Sequence, residues 1–206
     1  IGDVHGEIGK LDQLLNSIRD DAQRRGVVHR IVFLGDLIDR GHDSRAVVER
    51  ALRLTEAGEA LAVKGNHEEL MLHAFGHRES IGIYHWAENG GDETITSYKL
   101  ANGPQADWRE AIDEHHLRWL DELPVMIRDE ARGLVFVHGG IDPATFPLCS
   151  DEVRMWTRSQ KFFRTHKWPE RDELRDVLVV HGHTPTHDFE PENVPRRINV
   201  DTGACF

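Results

Sequence analysis

The sequence predicts an α/β fold in which strands and helices alternate along the chain. Apolar stretches of strand length, at residues 30–34 and 60–63, are each followed by a segment with apolar residues at helical spacing. A glycine follows each stretch within two residues, and charged or amide side chains come directly after that glycine. Open α/β sheets carry their functional groups at such strand ends, so the same pattern also predicts where a site would lie.

The first part of the chain fits the order βαβαβα. A turn at residues 2–6 leads into a helix that stops near Gly26, and the strand at 30–34 runs into residues 35–41. Ser44 is a suitable N-cap for a second helix that ends near Gly58. The strand at 60–63 is followed by the motif at residues 65–68, and we expect a third helix from about Glu69.

The second part of the chain is less regular. Turn residues interrupt the pattern at 76–104, which we interpret as a variable insertion that could shape substrate access within one catalytic domain spanning 1–206. Helical spacing returns at 106–123, whereas 153–158 is too mixed to assign. Further strands are predicted to end at His138, around His181 and before Asp201.

Size and charge restrict the function classes. A chain of 206 residues can bury about 70% of its unfolded surface, and it contains no apolar run of the roughly 20 residues that a membrane helix requires. The net charge of -11 would repel a nucleic-acid backbone. With two cysteines and no leader pattern, we expect a cytoplasmic protein that binds neither nucleic acid nor membrane.

The polar residues at the predicted strand ends form a set that suits divalent metal ions. The set comprises Asp3, His5, Asp36, Asn66, His138 and one of His181 or His183. Carboxylate, amide and imidazole ligands together fit a pair of ions such as manganese, iron or zinc better than a lone structural zinc. One carboxylate can bridge two such ions, and the central Asp36 is the natural candidate.

These residues occur in motifs that resemble those of a known family. The motifs are Gly2-Asp3-Val4-His5-Gly6, Gly35-Asp36-Leu37-Ile38-Asp39-Arg40-Gly41, Gly65-Asn66-His67-Glu68, His138-Gly139-Gly140 and Gly182-His183-Thr184-Pro185. In this order they resemble the metal-dependent phosphoprotein phosphatases of the calcineurin-like metallophosphoesterase group, and above all the serine/threonine phosphatases of bacteria and bacteriophage lambda. The resemblance covers nearly the whole chain and implies a central two-sheet β-sandwich flanked by helices.

The resemblance also implies a set of metal ligands. Asp3 and His5 would bind the first ion and Asp36 would bridge the two ions. The second ion would be held by Asn66, His138 and His183. The implied cofactor is a pair of divalent ions, with manganese favoured and iron or zinc as alternatives. His181 would then contact the metal ligands from outside or lie beside the substrate. Because it lies two residues before His183, an extended strand would point both histidine side chains to the same side.

The remaining roles concern the substrate. The resemblance makes His67 the general acid, oriented by Asp39, and makes Arg40 and Arg158 the groups that clamp the phosphate, with Arg154 as the alternative to Arg158. Asn66 and His67 would also contact the substrate. A leaving alkoxide is strongly basic, so a positioned imidazole beside the metal ligands is chemically reasonable.

The resulting prediction is an enzyme that hydrolyses phosphate monoesters with a hydroxide activated by two metal ions. The expected partner is a phosphoprotein or phosphopeptide carrying phosphoserine or phosphothreonine, with phosphotyrosine as a further option. A symmetrical dinucleoside polyphosphate hydrolase is the alternative, because the same family motifs also serve that reaction. A third hypothesis, from a different class, is a binding module that keeps the fold without catalysis.

Overall fold

The computed structural model describes residues 1–76, 80–103 and 107–206. Within these ranges the chain forms nine α-helices and seven β-strands. The helices are α1 (Ile8–Arg25), α2 (Ser44–Glu56), α3 (Asn66–Gly76), α4 (Ser80–Glu88), α5 (Gly91–Asn102), α6 (Trp108–Ala111), α7 (Glu114–Glu122), α8 (Asp151–Trp156) and α9 (Gln160–Phe163). The strands are β1 (Ile31–Phe33), β2 (Ala60–Ala62), β3 (Met126–Asp129), β4 (Leu134–Val137), β5 (Leu178–His181), β6 (Glu192–Val194) and β7 (Arg197–Asn199). Two short 3₁₀ helices, Thr165–Lys167 and Asp172–Leu174, lie between α9 and β5.

The strands form two sheets, as the α/β two-sheet prediction requires. β1 and β2 pair in parallel, and the second sheet has the order β3-β4-β5-β7-β6. Its three inner strands are parallel to one another, whereas β3 and β6 are antiparallel edge strands. Because β4 and β5 run in parallel and in register, their carboxyl ends meet at one edge of the sheet. That edge carries His138 and His183.

Each sheet has its own apolar core. Phe33 and Leu37 are completely buried in the first cluster, which also receives side chains from α2, α3, α5 and α7. Val137 and Phe146 belong to the second cluster, which packs on the five-stranded sheet. The site described below lies where the loops of these two halves meet. In the described part of the chain, no helix combines the length and apolarity needed to cross a membrane.

Three local features differ from the sequence-based expectation. The N-cap of α2 is Asp43, whose carboxylate accepts a hydrogen bond from the Ala46 amide, so the prediction of Ser44 as the cap was wrong. The third helix begins at Asn66 and not at Glu69, which places Asn66 and His67 in its first turn. The expected helix at 106–123 is interrupted, because Ile112 adopts an extended conformation between α6 and α7.

The segment at 76–104 is helical over most of its described length. It contains α4 and α5, and Trp86 and Tyr98 are fully buried in the first core cluster. Pro104, at the end of the predicted insertion, lies outside the described residues. The role of this segment in substrate access stays a prediction, but its buried side chains also support the site.

Candidate active site

The side-chain oxygen Asp36 Oδ2 lies at the centre of a cluster of histidine nitrogens. It is 3.3 Å from His138 Nε2, 3.6 Å from His5 Nε2 and 3.9 Å from His67 Nε2. All four side chains are buried. The loop after β1 therefore brings one carboxylate against histidines from three separate motifs. Two potential metal-binding groups share Asp36: one adds His5 and His67, and the other adds His138 and His183.

The second half of the cluster is joined to the first by short contacts. His138 Nε2 lies 2.9 Å from Asn66 Oδ1 and 3.2 Å from His183 Nδ1. The backbone amide of His183 donates to both carboxylate oxygens of Asp3, each at 3.0 Å. All six predicted metal ligands thus lie in one buried cluster. The potential metal-binding group that contains His5 and Asp36 includes His67 and not Asp3. The predicted roles of Asp3 as a metal ligand and of His67 as the general acid therefore stay predictions.

Five of the site residues adopt left-handed backbone conformations, which are unusual for residues other than glycine. The φ angles are 46° at His5, 51° at Asp36, 72° at Asp39, 67° at Arg40 and 68° at His183. Such conformations each cost on the order of 1–3 kcal/mol and persist where the surrounding contacts fix them. Their concentration in these loops is a mark of a functional site that does not depend on any resemblance.

Glu68 is one group that fixes the strained loop. Its carboxylate accepts hydrogen bonds from the backbone amides of Asp36, Leu37 and Gly65, each at 2.8 Å. The side chain is fully buried, and a carboxylate with three amide donors satisfies backbone groups that the sharp turn leaves unpaired. The sequence placed Glu68 in a motif but did not reveal this role, since it depends on α3 packing under the loop.

His67 and Asp39 form a closely paired dyad. His67 Nδ1 donates to Asp39 Oδ2 at 2.7 Å, and Asp39 also accepts from Thr94 Oγ1 at 2.6 Å. The indole Nε1 of Trp86 lies 3.0 Å from both carboxylate oxygens. Neither Trp86 nor Thr94 was among the site residues predicted from the sequence. The tryptophan does pack in the core, but its N–H also orients the carboxylate that orients His67.

Two arginines point into the cluster from opposite halves of the chain. Arg40 donates to His5 Nε2 at 2.9 Å and to His67 Nε2 at 3.0 Å. Arg158 donates to His183 Nε2 at 3.1 Å. Arg154, the alternative to Arg158, instead pairs with Asp151 and with the carbonyl of Pro147. The structure therefore brings Arg40 and Arg158 to the predicted site and directs the Arg154 guanidinium elsewhere.

His181 and His183 have different surroundings, contrary to the expectation that both would point to one side. β5 ends at His181, and the left-handed conformation of His183 breaks the strand alternation after it. The His181 ring packs against Phe162 and Phe163, and its Nε2 accepts from Arg197 at 3.1 Å. Burial lowers the pKa of His181 to about 3, so it is a neutral core residue.

Burial and mutual charge control the protonation of the cluster. Burial lowers the pKa of His5 and of His183 to about 3 each. Burial also opposes protonation of His138, but the carboxylates of Asp36 and Asp3 outweigh it and raise the pKa to about 10. For Asp36 the pKa-raising effect of burial is overcome by the neighbouring histidines, which hold its pKa well below the usual value. The buried carboxylates therefore favour a positive charge beside Asp36.

The pKa of His67 is shifted in the opposite direction to those of His5 and His183. Burial disfavours its protonation, but the nearby Asp36 and Asp39 carboxylates more than compensate and raise its pKa. A histidine that holds a proton more firmly than usual, next to a fixed carboxylate, can act as a proton donor. The shift supports the predicted general acid.

The donor atoms of the cluster fit divalent metal ions. His5 Nδ1 donates to the carbonyl of Ile38 and His138 Nδ1 to the carbonyl of Leu34, at 2.8 and 2.7 Å. These bonds leave Nε2 of each ring for the centre of the site, which is how proteins fix the tautomer of a metal-binding histidine. Arginine N–H groups now occupy the His5 and His183 lone pairs, which confirms that those lone pairs point inward.

Comparison with known proteins decides the family. The family model for calcineurin-like phosphoesterases matches residues 1–203. The chain belongs to this family. The calcineurin-like phosphoesterases use a dinuclear metal centre, and the chain is accordingly a metallophosphoesterase, an enzyme of phosphate hydrolysis.

Individual relatives of this phosphoesterase carry different substrate names. The asymmetrical bis(5′-nucleosyl)-tetraphosphatase PrpE of Oceanobacillus iheyensis is 26% identical over 100% of the chain and 83% of the relative. The symmetrical bis(5′-nucleosyl)-tetraphosphatase of Proteus mirabilis is 33% identical over 79% of the chain and 52% of the relative. A solved cold-active protein tyrosine phosphatase has a TM-score of 0.61 at 18% identity, covering 100% of the chain and 69% of that structure, which shows the shared fold.

Proposed function

We propose that this phosphoesterase hydrolyses dinucleoside polyphosphates of the bis(5′-nucleosyl)-tetraphosphate type. The observation that carries the proposal is the similarity to an asymmetrical tetraphosphatase along the complete chain, at 26% identity. The sequence-based prediction favoured phosphoprotein hydrolysis. Its alternative was a dinucleoside polyphosphate hydrolase with symmetrical cleavage. Because relatives of both the asymmetrical and the symmetrical type match, the position of cleavage is left to experiment.

A cationic cleft formed in part by residues that follow Arg158 in the chain supports the proposal of a long polyphosphate substrate. Its lining includes Lys161, Arg164 and Lys167, with Asp142 as an acidic member, and the cleft has a volume of about 430 Å³. α9 connects Arg158 to this cleft along the chain. A tetraphosphate carries more negative charge, over a greater length, than a phosphate monoester. Cations outside the catalytic cluster would therefore favour the longer substrate.

The chain's own residues have clear tasks in this reaction. When bound, the divalent ions of the family supply charge neutralisation at phosphorus and lower the pKa of water. Arg40 and Arg158 would hold the reacting phosphoryl group from two sides, moving from histidine nitrogens to phosphate oxygens. The His67–Asp39 dyad would hold a proton at His67 Nε2 for the leaving group. A departing nucleotide phosphate is weakly basic and depends little on that proton.

The dyad itself favours a second candidate function, which is hydrolysis of phosphoserine and phosphothreonine. A departing alkoxide is strongly basic and benefits from a general acid on the order of 100- to 10,000-fold. Retention of His67 hydrogen-bonded to Asp39 at 2.7 Å would be well explained by such a substrate. The two functions therefore predict different dependence on the same histidine.

A direct comparison of substrates tests the proposal. With the full chain and added Mn²⁺, we expect kcat/KM for diadenosine tetraphosphate to exceed that for a phosphothreonine peptide by roughly tenfold or more. Products of ATP and AMP would indicate asymmetrical cleavage, and two ADP molecules would indicate symmetrical cleavage. The Asp36→Asn variant controls for contaminating phosphatases. A higher kcat/KM for the peptide would reject the proposal in favour of the second candidate.

The cationic cleft provides a second, independent test. Replacing both Lys161 and Lys167 by alanine should raise KM for diadenosine tetraphosphate several-fold, on the order of the 0.5–1 kcal/mol expected for partly solvated charges. KM for a small aryl phosphate should stay unchanged, because that substrate lacks the additional phosphates that the cleft would bind. Arg24→Ala, which removes an exposed cation at the end of α1, is the matched control. An equal rise in KM for both substrates would contradict a role in binding the distal phosphates.

A further inference from the structure

A second group of metal-binding side chains lies on helices α2 and α7. It consists of Glu49, His115 and His116, and it shares no residue with the cluster around Asp36. One ligand atom of each side chain lies within 4.8 Å of the others. Two imidazoles and a carboxylate are a common ligand set for zinc and similar borderline divalent ions.

The distances between these atoms suit a tetrahedral ion. Glu49 Oε2 is 2.9 Å from His116 Nε2 and 3.9 Å from His115 Nε2. Zinc bonds of about 2.0–2.2 Å with tetrahedral angles require ligand atoms roughly 3.3 Å apart. The two measured distances lie on either side of this value. A rotation of the exposed His115 side chain would shorten the longer distance, and a displacement of Glu49 by a few tenths of an ångström would lengthen the shorter one.

The position of His115 is the informative feature. Adjacent residues on a helix point about 100° apart, so a His-His pair does not ordinarily direct both rings at one partner. Here the two ring centroids are 4.2 Å apart, and Nε2 of both rings lies within 4 Å of the same Glu49 oxygen. A hydrogen bond from His116 alone would satisfy the glutamate. The approach of the second imidazole is what a shared cation would explain.

Surrounding groups fix the other two ligands. His116 Nδ1 lies 2.9 Å from the Tyr98 hydroxyl and 3.7 Å from Asp113 Oδ2, and metal-binding histidines usually donate their second N–H to such a partner. Glu49 Oε1 accepts from Arg53, which leaves Oε2 for the two imidazoles. His116 is fully buried, whereas the His115 side chain is 58% exposed. The group is thus held from inside and open to solvent on one side, where an ion could enter.

We propose that Glu49, His115 and His116 form a zinc-class metal site that is separate from the dinuclear centre and links α2 to α7. Water would complete the coordination. Such an ion would stabilise the folded chain, because its ligands come from two helices that are far apart in sequence and come together only on folding. α2 also carries Ser44, whose hydroxyl accepts from the Asp39 amide, so the site would stabilise a helix that supports the catalytic dyad.

Zinc binding at a buffered free concentration tests the proposal. After equilibration with Zn²⁺ and removal of unbound ion, the metal content per chain is measured by elemental analysis. The His115→Ala variant should contain about one zinc ion fewer than the unmodified chain, because a site with three protein ligands loses affinity sharply with two. His187→Ala, which removes an exposed histidine outside the group, should keep the full content. Since the His115 side chain is exposed, its loss should not prevent folding.

Thermal unfolding gives a second readout that does not depend on activity. Zn²⁺ should raise the melting temperature of the unmodified chain more than that of His115→Ala or Glu49→Gln, since only the former binds the additional ion. Equal zinc content and equal thermal shifts in the unmodified chain and both variants would overturn the proposal. A loss of zinc in His187→Ala as large as in His115→Ala would overturn it as well, by showing nonspecific binding to surface histidines.

Discussion

The site has two parts, which differ in what holds their side chains. The first part is built by the chain up to the end of α5, and the second by β4, β5 and their loops. In the first part, the site residues are positioned by hydrogen bonds from other side chains. Trp86 and Thr94 bind the carboxylate of Asp39, and Glu68 binds three amides of the strained loops. These supports come from α3, α4 and α5. The dyad therefore depends on the packing of several helices.

In the second part, main-chain hydrogen bonds carry most of the positioning. His138 Nδ1 donates to the carbonyl of Leu34, and the amide of Gly182 donates to the carbonyl of His138. The parallel register of β4 and β5 fixes these groups at one sheet edge. The difference suggests that substitutions behind the first part disturb catalysis through positioning, whereas substitutions in the second part remove only the group that is changed.

The largest effect is expected at Asp36, which belongs to both parts. Asp36→Asn should lower kcat/KM about 1,000-fold or more, since it weakens both ion positions and metal ions contribute several kcal/mol to such reactions. Metal content, measured after dialysis, should fall together with activity. Asp43→Asn is the control, because asparagine is an equally good N-cap for α2. Full occupancy of both ions in Asp36→Asn would refute a bridging role.

His67→Ala probes the first part through its proton. Loss of the acid should slow hydrolysis of an alkyl phosphate by roughly 100- to 1,000-fold, whereas an aryl phosphate or diadenosine tetraphosphate, with weakly basic leaving groups, should be affected much less. kcat on the three substrates measures the difference. His29→Ala, at an exposed position, serves as the control. Equal losses on all three substrates would point instead to a metal ligand, in agreement with the group of His5, Asp36 and His67.

The sequence predicted the fold class and the location of the site well, because strand ends and turn residues are local signals. The glycines at positions 35 and 65 are an example of such signals. A Cβ on Gly65 would collide with the Asp36 side chain and backbone, so a glycine at this position indicates that two loops approach each other closely. The parallel pairing of β4 with β5 then gathers residues that are 45 positions apart in the chain, such as His138 and His183.

The supports of the dyad could not be predicted in the same way. Trp86 and Thr94 lie in a segment of weak periodicity that gave no clear helix signal, and their contacts to Asp39 cross 47 and 55 residues. Edge strands β3 and β6 were missed for a related reason: they are short and carry mixed polarity, so their pairing depends on neighbours that no local pattern reveals. Substrate class was also undetermined, because phosphoprotein and dinucleoside polyphosphate hydrolases share the same motifs.

Arg158 tests the second part of the site. Arg158→Ala should lower kcat/KM about 10- to 100-fold, the equivalent of the 1.5–3 kcal/mol typical of a charged hydrogen bond. Metal content should be unchanged, since the arginine contacts a ligand but the register of β4 and β5 holds that ligand. Arg154→Ala, four residues earlier, should retain activity within about twofold. Activity that depends on Arg154 and not on Arg158 would show that the guanidinium turned away in this structure is the one that binds phosphate.

The smallest expected effect returns to the first part, at the indole of Trp86. Trp86→Phe keeps an aromatic ring in the core but removes the N–H that binds both Asp39 oxygens, so kcat on an alkyl phosphate should fall about tenfold or less. Thr94 still holds Asp39, which limits the loss. Trp108→Phe is the matched control, since that ring lies 5.3 Å from Trp86 in the same core. If Trp86 acts by positioning the dyad, the loss on an aryl phosphate must be smaller than on the alkyl phosphate, because only the alkyl leaving group needs the proton from His67. Equal losses on the two substrates, accompanied by a lower melting temperature, would assign Trp86 to packing alone.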